Sequence, residues 1–200
     1  MREEAFGSEG FAHGASELVD VLVHRTTSTF WRGQMYQDGK RVRRGSELQF
    51  SEEALAEWLD ECHTRAYKPG LGTWVTAEVH IYPDRPGELN LFDEEHLERA
   101  SNGEWYPGGW PSDSTACSQQ LLVFPRTEDH IPLWMWDIFR EEGMTPPIYN
   151  PEFKSVDWKN RRRPVTDRGT DFSVEPTVID PALDPGVLSR IGKKLFGSRS

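Results

Sequence analysis

Cysteine is scarce in this chain: two thiols, Cys62 and Cys117, stand among 200 residues. They lie far apart and in no paired motif, which excludes a disulfide framework and a cysteine-based zinc site. Both are expected to be reduced, half-buried small hydrophobes, as in a cytoplasmic protein. No run approaches the roughly 18 apolar residues of a membrane span. The opening "MREEAFGSEGFAHG" carries acids and glycines where a secretory leader would be apolar. No membrane partner is therefore expected. Basic residues are outnumbered too, 23 Lys and Arg against 33 Asp and Glu, giving a formal charge of −10. A field of that sign repels nucleic acid and attracts basic proteins.

Catalytic signatures are equally wanting. There is no G-x-S-x-G elbow, no H-E-x-x-H pair, and neither cysteine sits in a nucleophile motif. "NGEWYPGGWPSD" has glycines, but bulky rings interrupt it, and a phosphate cradle needs a glycine turn opening a helix. His80, Asp93, Glu94, Glu95 and His96 lack metal-ligand spacing and read as a solvated acidic face. The expectation is a non-enzyme with no catalytic residue, no metal and no cofactor.

What is present is patterned. "SELVDVLVHR" (16–25) places Leu18, Val21 and Leu22 at helical spacing, and a short helix is expected there, although a buried strand fits the same cluster. Asp38-Gly39 predicts a two-residue hairpin between strands at about 28–37 and 40–44. "SEEALAEWLDECHTRAY" (51–67) is a helix by its Ser51 cap, its acidic first turn and its stripe of Leu55, Trp58, Leu59, Cys62 and Ala66. Strands 73–82 and 88–92 follow, joined through "PDRPG". A loop (101–114) leads to helices at 112–124 and 132–143, the second opened by Pro132 and closed by Gly143. Residues 1–143 thus read as an α+β domain: an antiparallel sheet built from hairpins and packed against helices. Residues 144–185 are proline-punctuated and expected to be a long, irregular, extended segment. Residues 186–200 are expected to form a basic amphipathic helix docked on its own domain, with Val187, Leu188, Ile191, Leu195 and Phe196 on one side.

Alternation along 73–82 assigns a candidate surface. With Val75, Ala77, Val79 and Ile81 facing a core, Trp74, Glu78, His80 and Tyr82 face outward. In 88–92, Leu89 and Leu91 join the core row and Asn90 and Phe92 the outer row. Rings beside Asp93, Glu94, Glu95 and Glu98 suit a protein-binding face in which rings anchor and carboxylates steer a basic partner. The alternatives are nucleic-acid binding through the basic, ring-bearing segment 154–163, which the net charge opposes, and a small enzyme of unrecognised type.

The quoted elements resemble the YezG-like immunity proteins of bacterial polymorphic toxin systems. "WLDECHTRAY" stands for their polar helix, and "GTWVTAEVHIYPDRPGELNLFDEE" for their Trp-led strand, glycine turn and second strand. "FWRGQMYQDGKRVRRG" matches their upstream hairpin. The resemblance covers about residues 18–142. It implies a cytoplasmic antitoxin without enzymatic activity that blocks a cognate, basic toxin domain. Contact residues are then expected at Trp74, Glu78, Tyr82, Phe92, Asp93, Glu94, Glu95, Trp105 and Trp110.

Overall fold

A computed structural model of the chain describes residues 1–13, 18–25, 29–38, 40–41, 52–93, 97–99, 105–107 and 112–183. The architecture is α+β, with antiparallel sheets packed against helices. In chain order the first part runs α1 (Arg2–Phe6), β1 (Leu18–Arg25), β2 (Thr29–Gln37), β3 (Lys40–Arg41) and α2 (Glu52–Ala66). Then come β4 (Thr76–Ile81), β5 (Glu88–Phe92), β6 (Leu97–Arg99), β7 (Trp105–Pro107), α3 (Ser114–Val123) and α4 (Leu133–Glu141). Five short strands follow: β8 (Ile148–Asn150), β9 (Ser155–Trp158), β10 (Arg161–Thr166), β11 (Gly169–Thr170) and β12 (Thr177–Val178).

The larger sheet has the order β3-β2-β1-β4-β5. Its centre is β1, bonded to β2 on one side and β4 on the other. The helix expected over 16–25 is therefore a strand. Leu18, Val19, Val21, Leu22 and Val23 form a nearly continuous apolar run rich in β-branched residues, as central strands carry. The Asp38-Gly39 hairpin is as expected: Gln37 pairs with Lys40, and Asp38 has a φ of 51°. α2 lays Leu59 on this sheet against Met35, Ala77, Val79 and Ile81, with Trp58, Cys62 and Ala66 at the edges of the cluster. The N-terminal residues, unpatterned in the sequence, add Ala5 and Ala12 to the same core.

A second core gathers Val75 with Cys117 and Leu121 of α3 and Met135 and Phe139 of α4. Asp113 caps α3, its Oδ1 accepting from the Ala116 amide at 2.7 Å. α4 closes on Gly143, whose φ of 64° is one a side chain resists; the Gly143 amide reaches Arg140 O and the Met144 amide reaches Phe139 O, a Schellman closure.

The segment after Gly143 is more regular than its prolines suggest. A second antiparallel sheet runs β11-β10-β9-β8, with β12 also on β10. The β9–β10 connection is a two-residue turn in which Lys159 and Asn160 both take positive φ, 48° and 58°. Asn160 is held there by Asp180, which accepts from its Nδ2 and donates to its Oδ1, at 2.8 and 2.9 Å. Among the described residues no helix is long and apolar enough to cross a membrane. The helix expected over 186–200 lies outside the described residues.

Candidate partner-binding surface

The outward face expected on β4 is buried. Trp74, at 3% exposure, lies in the core beside α2, its ring centroid 3.8 Å from that of His63. The strand begins at Thr76, so alternation does not reach Trp74 at all. Glu78 is 3% exposed. Its carboxylate is satisfied laterally: Asn90, opposite it on β5, donates at 3.0 Å, and His80 Nε2 lies 3.2 Å away. His80 also meets Glu88, its own cross-strand neighbour, at 3.4 Å. Tyr82 is buried too, with the Arg85 guanidinium 3.7 Å over its ring. Trp74, Glu78 and Tyr82 are thus not open to a partner, and Glu78 is the buried member of a cross-strand polar cluster whose Asn90 and Glu88 are exposed.

The remaining expected contacts divide. Phe92 is half-buried at the end of β5, Asp93 is exposed just beyond it, and Trp105 begins β7, paired with Arg99. Glu94, Glu95 and Trp110 lie outside the described residues.

What β5 does expose is leucine. Leu89 and Leu91 pair directly with Val79 and Ala77, so they share the core face as expected. Each is nevertheless 41% exposed, because β5 ends the sheet order and the core lies farther in, under β4. Beside them is a groove of about 450 Å³. Leu91, Phe92 and Asp93 form one wall, the Lys68–Thr73 turn with its exposed Leu71 the other, and Trp74 part of the lining.

Arg126 holds this groove in shape, and it was not singled out from the sequence. Its side chain is only 3% exposed. It donates to Asp93 through both terminal nitrogens, at 3.2 and 2.8 Å, to His130 O at 3.1 Å, and to Thr73 O. Gly72, at a φ of 82°, lies against the guanidinium so closely that a Cβ there would overlap it. The only legible hint was an arginine directly after the apolar "LLVFP".

A second, larger groove of about 680 Å³ opens on the small sheet. Its apolar lining comes from Pro146, Ile148, Tyr149, Trp158 and Ile179, and Glu128 and Asp129 stand exposed on its rim. Thr127 and His130 hold Asp129 ionised, below the usual carboxylate range. Also lining the groove, the Lys159 ammonium lies 4.0 Å over the Trp158 ring, while Trp158 Nε1 donates to Thr145 O.

The basic segment 154–163 is largely engaged internally. Arg162 forks onto Asp157 at 2.7 and 2.6 Å and stacks on Phe153, and Arg163 reaches Val174 O and the Phe172 ring. Among the described residues no group of three or more His, Cys, Asp or Glu could hold a metal ion. The chain matches no family model, no curated protein and no solved structure.

Proposed function

We propose that this chain is a non-catalytic binding protein, an immunity protein of the YezG-like kind that seats on a basic toxin domain and blocks it in the cytoplasm. The observation that supports this reading is the β5 edge: two exposed leucines lie between Glu88 and Asp93, beside an adjoining groove. An apolar strip that size, ended by carboxylates, fits an apolar ridge or strand flanked by Lys or Arg. The overall charge of −10 speeds the encounter with such a partner. Leu89 and Leu91 replace the buried Trp74, Glu78 and Tyr82 as anchors, and Phe92 and Asp93 keep their place beside them.

The test is co-expression with the toxin domain encoded next to the chain's own gene, followed by affinity measurement on the purified pair. Leu89→Arg with Leu91→Arg should weaken binding by about a hundredfold or more, since central interface anchors carry roughly 2–4 kcal/mol. Stability should change little, because both side chains are exposed. Undiminished affinity and rescue in that double variant would remove the β5 edge as the docking surface.

A further inference from the structure

The two edges of the larger sheet are built differently. β3, at one edge, is two residues long and consists of Lys40 and Arg41. Short length and cationic side chains are common guards against the addition of a foreign strand. β5, at the other edge, has neither. It is five residues long, and among the described strands it is bonded to β4 alone. Glu88, Leu89, Asn90 and Leu91 are all exposed, and the two leucines stand on the core-facing side beyond the reach of the core.

The sequence of β5 is also complementary to itself. Consider an antiparallel pair of β5 strands related by a two-fold axis through Asn90, perpendicular to the sheet. Leu89 of each copy then stands opposite Leu91 of the other, Asn90 opposite Asn90, and Glu88 opposite Phe92. All the leucines fall on one face and cover one another. No carboxylate meets a carboxylate. Asp93 falls opposite Gly87 and is already held by both terminal nitrogens of Arg126, while Glu88 leans on His80 of its own chain at 3.4 Å. Other registers lose this match. Centring on Leu89 sets Leu91 against Gly87, and centring on Leu91 sets Leu89 against Asp93.

We infer that the free chain associates with a second copy of itself through β5, joining two five-stranded sheets into one continuous sheet. The interface is small, so the dimer dissociates at concentrations on the order of micromolar. The inference does not depend on the toxin reading. Where both hold, the second copy and the toxin compete for Leu89 and Leu91.

Sedimentation equilibrium of the full chain alone, between about 1 and about 200 μM, tests the contact without any other protein. A monomer–dimer equilibrium is expected. It should tighten on adding salt, which screens the repulsion between two chains of charge −10. Leu89→Lys with Leu91→Lys should be monomeric, as should Leu89→Glu with Leu91→Glu. Mixed one to one, these two variants should form a heterodimer, because each Lys then faces a Glu across the strand pair. The concentration and salt series of the natural chain decide the question even where a variant fails to fold. A monomer at every concentration, weakening by salt, a dimer that survives in the folded Lys variant, or a folded mixture that stays monomeric would each overturn the proposal. A monomeric chain that still binds the toxin removes this inference alone, and a dimer indifferent to the toxin removes only the toxin reading.

Discussion

Replacing Arg126 should be the most damaging single polar change in the described structure, and its cost can be worked out from the contacts. Arg126→Ala removes a buried cation and strands two backbone carbonyls, Thr73 O and His130 O, that it satisfied. Hydrogen bonds to a charged group contribute about 1.5–3 kcal/mol each, and an unsatisfied buried acceptor costs about 1–3 kcal/mol. Asp93 contributes less, because its side chain is 59% exposed and can rehydrate. A total near 3–5 kcal/mol follows, a large part of the roughly 5–15 kcal/mol that a folded domain possesses. Gly72→Ala attacks the same point from the backbone. It forces a side chain into left-handed geometry, about 1–2 kcal/mol, and drives a methyl into the guanidinium. In the Arg126→Ala background the collision is gone and only the backbone strain remains. Urea denaturation of the four proteins of this cycle should find the double variant less destabilised than the sum of the singles, by about 1–3 kcal/mol. Additivity within about 0.5 kcal/mol would refute the close packing of Gly72 on Arg126.

Phe139 is fully buried in the second core, and Phe139→Ala should cost about 3–5 kcal/mol by the same denaturation assay. A loss under about 1 kcal/mol would mean that α4 is not packed as described. Asp157 gives a pH signature. Partial burial raises its pKa, but Arg162, Asn150 and Ser155 lower it more, leaving it below the usual carboxylate range. A depressed folded pKa stabilises above the unfolded value, near 4, and that contribution disappears as pH falls through the folded value. The stability gap between the natural chain and Asp157→Asn should therefore be level above about pH 5, near 1–2 kcal/mol, and close towards pH 2–3. A gap that widens on acidification would contradict the Asp157–Arg162 pairing.

The elements that could be read from sequence were those specified locally. α2 carries a cap and an apolar stripe in its own sequence, α4 is bounded by Pro132 and Gly143, and Asp38-Gly39 fixes a hairpin by φ alone. β1 could not be separated from a helix, because a short apolar run has no period until neighbours bond to both its edges. The second sheet was missed for a related reason. Its central turn uses Lys159 and Asn160 where a glycine would announce it, and the restraint comes from Asp180, twenty residues on.

The candidate surface shows the same division between direction and cover. Alternation correctly paired the faces of β4 and β5, since Leu89 stands opposite Val79 and Glu78 opposite Asn90. It says which way a side chain points and nothing about what lies there. Glu78 points away from the core and is buried; Leu89 points with the core and is exposed. Both inversions follow from position in the sheet: β4 is interior, where a carboxylate finds cross-strand partners, and β5 is an edge, where a core-facing leucine outruns its core. Arg126 extends the point to single residues. Its acceptors come from Thr73, Asp93 and His130, on three separate stretches of chain, so only the assembled fold brings them to one guanidinium. That clamp also divides the two grooves. Gly72 and Leu71 face one of them, while the neighbouring Gly70 packs on Tyr149 and Thr127 of the other. The two grooves therefore lie on either side of one clamp and share no lining residue.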